Sequence, residues 1–141
     1  MRTYYLFKIN DTFLNLYNNK EIYLYKMFEQ IYRSSKNNID ISYRLFKQMI
    51  NTYDRAKINY LLENSYMYHR YYKKINNNHY YDDGNEKTKL MLYNTYIKIK
   101  ANSNMPCFLN ELLNENNIFV CDFKNKDYFW LNKVMRRACI K

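Results

Sequence analysis

Glycine and proline are almost missing: one of each in 141 residues. Loops that cradle phosphate need several glycines, for close backbone approach and for positive φ. A P-loop, a dinucleotide-binding fingerprint, a KH loop and the glycine-bearing RNA-recognition motif are therefore excluded in their standard forms. Cysteine is sparse too. Cys107, Cys121 and Cys139 are odd in number, and no two stand at Cys-x-x-Cys spacing. Neither a disulfide framework nor a zinc site is indicated. No apolar run approaches the length of a membrane span, and no secretory signal opens the chain. The expectation is a soluble protein of the reducing cytoplasm.

Catalytic residue types are equally thin. The two histidines, His69 and His79, lie ten positions apart in the least regular stretch and are expected to be exposed. Asp82, Asp83 and Glu86 cluster around Asp83-Gly84, a strong turn signal, and are expected to be solvated turn carboxylates rather than metal ligands. Cys107 and Cys121 sit in apolar segments, where a free cysteine behaves as a small buried hydrophobe. A nucleophile would need a paired base, and none is evident. The expectation is a non-enzyme with no catalytic residue, no metal and no cofactor.

Aromatic residues and positive charge are what the chain does have. It carries 18 Tyr and 8 Phe, and its formal net charge is +10. Tyrosine buries a large ring yet wants a partner for its hydroxyl, which suits edges and interfaces; codon bias in an AT-rich genome also enriches Tyr, Asn, Lys and Ile. The positive charges are scattered. The densest groups are Arg70, Lys73 and Lys74, and a basic tail over about 133–141 with Lys133, Arg136, Arg137 and Lys141. Neither forms the unbroken run typical of a nucleic-acid arm.

Periodicity gives the architecture. Residues 3–9 read as an interior strand, apolar on both faces. Asn10 or Asp11 caps a helix over about 12–19, on which Phe13, Leu16 and Tyr17 share a stripe and Leu14 points elsewhere. A clear helix follows with Leu24, Met27, Phe28, Ile31 and Tyr32 in phase, then, after the polar turn KNNID, a third with Ser42 as cap and Leu45, Phe46, Met49 and Ile50 on one face. Asp54 caps a fourth, with Ile58, Leu61 and Leu62 together. A strand or ribbon near 66–73 leads to an Asn-rich loop. TKLMLY and YIKIK read as paired strands, residues 103–113 as a helix capped by Ser103 or Asn104 with Pro106 in its first turn, and NIFVCDF and YFWLNKV as the last two strands. Period two puts Tyr128, Trp130 and Asn132 on one face and Phe129 and Leu131 on the other, with Trp130 in the core. The fold class is α+β: a single domain over 1–141, with a largely antiparallel sheet of about five strands packed with several helices.

Two stretches carry a family resemblance. They are YYLFKINDTFLNLYNNKEIYLYKMFEQIY, with Tyr4, Tyr5, Ile9, Phe13, Tyr17 and Glu21, and IFVCDFKNKDYFWLN, with Tyr128, Trp130 and Leu131. Together they resemble the sporulation inhibitor of replication proteins, the SirA family of Firmicutes; the Asn-rich middle segment departs from the family pattern. The resemblance implies a single α/β domain that acts by binding, not catalysis. Its implied partner is the N-terminal domain of the replication initiator DnaA, and its implied effect is to block new rounds of chromosome initiation at the onset of sporulation. It also implies partner contacts at Phe13 and Tyr17 on the first helix, and at Gln48 on the third. Periodicity by itself makes Phe13 and Tyr17 a core stripe. Under the resemblance, Leu14 and Leu16 seat the helix and the two rings face the partner. The alternative reading is a small basic nucleic-acid-binding module, on the strength of YMYHRYYKK, where bases and aromatics interleave.

Overall fold

Alternation along the first strand divides the molecule into two cores. A computed structural model describes residues 1–34, 39–104 and 106–132, the side chains of 39–42 aside. Strand β1 (Arg2–Ile9) sends Tyr4 and Leu6 to one face of the sheet and Phe7 and Ile9 to the other, and all four are buried. After it come α1 (Asp11–Leu16), α2 (Glu21–Tyr32), α3 (Ile39–Met49), β2 (Ile50–Asn51) and α4 (Arg55–Tyr66). The second half contains β3 (Tyr72–Ile75), β4 (Asn78–Asp82), β5 (Lys87–Leu92), β6 (Ile97–Ala101), α5 (Phe108–Glu111), β7 (Ile118–Asp122) and β8 (Asp127–Trp130).

These strands form one antiparallel sheet of eight, in the order β3-β4-β5-β6-β1-β7-β8, with β2 paired to the end of β1. The α+β class holds, but the sheet is larger than the five or so strands expected. Two of the extra strands come from the Asn-rich segment, expected to be a strand or ribbon near 66–73 followed by a loop. Asn76 adopts a positive φ of 56° and turns the chain, so that Tyr72 pairs with Tyr81 and Ile75 with Asn78. The hairpin ends the sheet, and its outer strand β3 is partly solvated, so it shows little apolar alternation. A third, β2, is two residues long and has no sequence signature of its own.

Helices cover both faces. On one, α4 and α5 bring Ile58, Leu62, Tyr66, Phe108 and Leu109 against Leu6, Leu90, Ile97, Ile99 and Val120. On the other, α2 and α3 bring Leu24, Phe28, Phe46 and Met49 against Phe7, Ile9 and Phe119. The Phe7 and Phe28 rings stack with centroids 4.2 Å apart. The last strand keeps its expected phase: Tyr128 and Trp130 pack on the α2–α3 side, and Phe129 and Leu131 on the α4–α5 side. Trp130 is half-buried rather than sealed. Lys8 projects among the apolar positions of β1 and is neutralised by the buried Glu115, 3.2 Å away, whose other oxygen meets Lys57 at 3.2 Å.

Several local expectations need correction. Helix α3 begins at Ile39, so Ser42 lies inside it and is no cap. Helix α5 is only four residues long; its cap position is Cys107, not Ser103 or Asn104. The KNNID turn falls largely, and the basic tail 133–141 with Cys139 wholly, outside the described residues. The acidic cluster is a turn, as expected. Asp83 Oδ1 accepts the N–H groups of Asn85 (2.9 Å) and Glu86 (2.7 Å), and the only glycine, Gly84, sits at φ 91°. Those bonds hold the Asp83 carboxyl below its usual range.

His79 is the clearest error. His69 is exposed, but His79 is wholly buried under α4. Its Nδ1 lies 2.7 Å from the Tyr72 hydroxyl and its Nε2 lies 2.7 Å from Asn59 Oδ1. Asn59 Nδ2 donates to Asn77 Oδ1 at 2.9 Å, so its own oxygen must accept, and the ring proton belongs on Nε2. Burial, with Lys74 nearby, lowers the imidazole pKa to about 4, against 6.5 in the unfolded chain. The unfolded chain therefore takes up a proton that the native state refuses. Stability falls as pH drops from about 6.5 to about 4 and then levels, for a loss of up to about 3 kcal/mol. Urea midpoints measured from pH 7 to pH 4.5 should show this slope, and His79→Gln should flatten it while lowering stability at pH 7. A slope that survives the substitution would assign the titration to another group.

Candidate partner-binding surface

Helix α1 has the right start signal and very little to bury. Asn10 is its cap: extended at φ −73° and ψ 161°, it accepts the Phe13 N–H on Oδ1 at 3.0 Å. The same side chain donates through Nδ2 to the Gln48 carbonyl at the end of α3. The Asn10 N–H donates to the Met49 carbonyl at 2.9 Å. One asparagine thus starts α1 and ties it to α3. Beyond Tyr17 the chain reverses through Asn19, at a φ of 61° that asparagine tolerates better than most residues.

None of the six residues of α1 is fully buried. The reason is angular. At about 100° per residue, the arc from Phe13 through Tyr17 to Leu14 is about 100° wide and faces the protein. Phe13, Leu14 and Tyr17 pack from the edge of the α2–α3 core and remain partly exposed. Leu16 falls about 60° outside that arc and is 60% exposed, so it does not seat the helix as expected; Leu14 does, together with the inner edges of Phe13 and Tyr17. Behind Leu14, a cleft of about 310 Å³ separates α1 from Ile118, Trp130 and Asn132. The helix is therefore propped on the body, not sunk into it.

Phe13 and Tyr17 stack on each other, with centroids 6.1 Å apart and planes 13° apart. They are neither sealed inside nor held free: each ring has one part against the core and another in solvent. Gln48 is exposed near the end of α3, and its carbonyl is the one that Asn10 binds. The fold thus brings Phe13, Tyr17 and Gln48, far apart in sequence, to neighbouring elements joined through one side chain. Sequence reasoning missed two contributors. Leu16 is in phase with Phe13 and Tyr17, but it lies on the solvent side of that stripe and not on the side that meets the body. The sequence offers Asn10 or Asp11 as the cap, and the second bond of Asn10, to α3, has no local signal.

A family model described as "Sporulation inhibitor of replication protein SirA" matches residues 2–135, nearly the whole chain. The chain belongs to the SirA family. No curated protein matches it. The matched span includes the Asn-rich β3–β4 segment. Membership identifies the protein with replication control during sporulation, a regulatory role. Burial pushes the Cys107 thiol up to about 12 and the Cys121 thiol well above its ordinary value, so neither supplies a thiolate near neutral pH. No group of three or more His, Cys, Asp or Glu among the described residues could hold a metal ion. No described helix is long and apolar enough to cross a membrane.

Removing the Asn10 side chain tests how α1 is held. Asn10→Ala deletes a cap, costing about 1 kcal/mol, and the bond to α3 as well, so the total should reach about 2 kcal/mol in urea unfolding. Amide exchange in residues 11–17 should rise more than in α2. Uniform exchange across both helices would mean that α1 does not depend on this residue.

Proposed function

We propose that this protein inhibits replication initiation by covering the N-terminal domain of the initiator DnaA, with Phe13, Tyr17 and Gln48 in the contact. One observation supports the reading above all others: a helix with a stacked aromatic pair, none of whose residues its own molecule fully buries. Interfaces draw most of their affinity from a few large anchors of this kind, ringed by contacts that exclude water. Gln48 offers an exposed amide at the end of α3, the element to which Asn10 ties α1, and Leu16 adds exposed aliphatic area one helical turn from Phe13. The net charge of +10 speeds encounter with an acidic surface. Inhibition is steric: an initiator domain occupied by this protein is unavailable for its own assembly contacts, and no bond is made or broken. Such a target lies in the cytoplasm of a spore-forming bacterium.

The test is a calorimetric titration against the DnaA N-terminal domain. Truncating an anchor costs about 2 kcal/mol, so Phe13→Ala and Tyr17→Ala should each weaken binding about thirtyfold, and the pair together about a thousandfold. Gln48→Ala should cost less. Because α1 holds no fully buried residue, each single variant should still unfold cooperatively, within a few degrees of the wild type. Wild type that fails to bind, or variants that bind like wild type, would overturn the proposal.

A second reading rests on a separate patch. Tyr68 is 90% exposed, Tyr60 is 70% exposed, and the Arg70 guanidinium lies 4.9 Å from the Tyr71 ring centre. Exposed rings among cations can stack bases and hold phosphates. Single-stranded DNA affinity that falls steeply with salt and is lost in Tyr68→Ala would favour it; no binding at moderate salt removes it.

A further inference from the structure

The α2–α3 side of the sheet contains an aromatic cleft that the interface reading does not use. It has a volume of about 340 Å³, at the small end of the range of ligand sites, about 300–1,000 Å³. Its floor is Phe7, Phe28, Phe46 and Phe123, all buried. Tyr43, from α3, is half-exposed at its lip, and Tyr5 and Tyr96 form the sheet side. A cleft of this kind left open to water is costly, since apolar area stays hydrated that a ligand could cover.

Two cations stand on its aromatic walls. Lys98 Nζ is 5.5 Å from the Tyr5 ring centre, and Lys47 Nζ is 4.8 Å from the Tyr43 ring centre. Neither lysine is paired with a carboxylate among the described residues, whereas Lys8, Lys57 and Lys74 each are. The two come from different elements, β6 and α3. The cleft thus joins an apolar interior of aromatic rings to positive charge at its rim that is unpaired with any carboxylate among the described residues.

We propose that this cleft binds a small anionic amphiphile: a molecule with one aromatic or medium-length aliphatic body and a single carboxylate, sulfonate or phosphate head. The body stacks on the phenylalanine floor, and the head takes Lys47, Lys98 or both. Ring faces favour a flat body, since offset stacking adds to simple area burial. The lysines favour an anion, because each trades a weak contact with a ring face for a charge-assisted hydrogen bond. The cleft draws on α3 through Tyr43 and Phe46, while Gln48 of the same helix faces solvent. A bound molecule would therefore be in contact with the element that also carries part of the proposed partner surface. Ligand binding itself does not depend on that surface.

Two fluorescent probes with the same rings separate charge from apolar contact: 1-anilinonaphthalene-8-sulfonate and its uncharged counterpart N-phenyl-1-naphthylamine. The full-length protein should bind the sulfonate saturably at one site, at least tenfold more tightly than the neutral probe, and decanoate should displace it. In the double variant Lys47→Glu/Lys98→Glu the sulfonate should lose at least tenfold in affinity while the neutral probe is unchanged. The unchanged neutral probe certifies that the cleft is still formed. Absence of saturable binding, equal affinity for the two probes, or a double variant that retains the sulfonate would each overturn the proposal.

Discussion

Everything in this fold depends on β1 being hydrogen-bonded along both edges. It pairs with β6 from Arg2 to Leu6, with β7 from Tyr5 to Lys8, and with β2 at its end. A strand in that position must be covered on both faces, because each face carries buried apolar side chains and neither can be left to water. Tyr4 and Leu6 call for the α4–α5 layer, and Phe7 and Ile9 for the α2–α3 layer. Even the charged exception obeys the constraint. Lys8 points into a covered face, and the protein supplies the buried Glu115 to meet it. The strand's two ends are pinned by polar contacts: Arg2 to Asp122 at 2.9 Å, and the Asn10 N–H to Met49 at the other. Burial alone would favour a neutral Asp122, but hydrogen bonds from Asn125 and Arg2 outweigh it and keep the carboxyl pKa low.

The proposed partner surface follows from where this arrangement stops. Two layers of helix suffice to cover the sheet, and α1 belongs to neither. It is attached at one end by an asparagine and along one side by the edges of three side chains. A helix so short would not persist alone; it exists because β1 ends where α3 ends. That economy leaves rings half in solvent, which costs little in the free protein and offers apolar area to another. Helix α1 can therefore change its outward face without loosening the sheet.

Aromatic residues serve three separate ends here. Phe7, Phe28 and Phe119 fill a core. Tyrosines such as Tyr53, whose hydroxyl donates to the Leu6 carbonyl at 3.0 Å, cross-link buried backbone. Phe13, Tyr17 and Tyr43 remain at the surface. A high tyrosine content can arise from codon usage, but position decides which of these roles a given ring plays. The same composition explains why one glycine suffices: at Asn19, Asn76, Asn117 and Lys126 other residues adopt the positive φ that turns require, three of them asparagine.

By itself the sequence determined the period of each long element. The alternation of β1, β6 and β8, the Asp54 cap, the Asp83-Gly84 turn and most of the α2 stripe are local properties, legible because a short window carries the signal; within α2, Tyr25 is buried and Tyr32 exposed, the reverse of expectation. The family was legible for a similar reason, through aromatic positions at fixed spacing in two continuous stretches. What only the tertiary structure decided depended on partners distant in sequence. The β3–β4 hairpin has no apolar rhythm, and its strands are defined by β5 beside them. His79 is buried because α4 crosses above it and Asn59 and Tyr72 satisfy its nitrogens, while His69, of the same residue type in the same segment, stays in water. Leu14 and Leu16 differ only in their angle around a helix whose resting side was set by α2, α3 and β8. Periodicity fixes which residues share a face; it does not fix which face is against the body, because that depends on surfaces contributed from elsewhere in the chain.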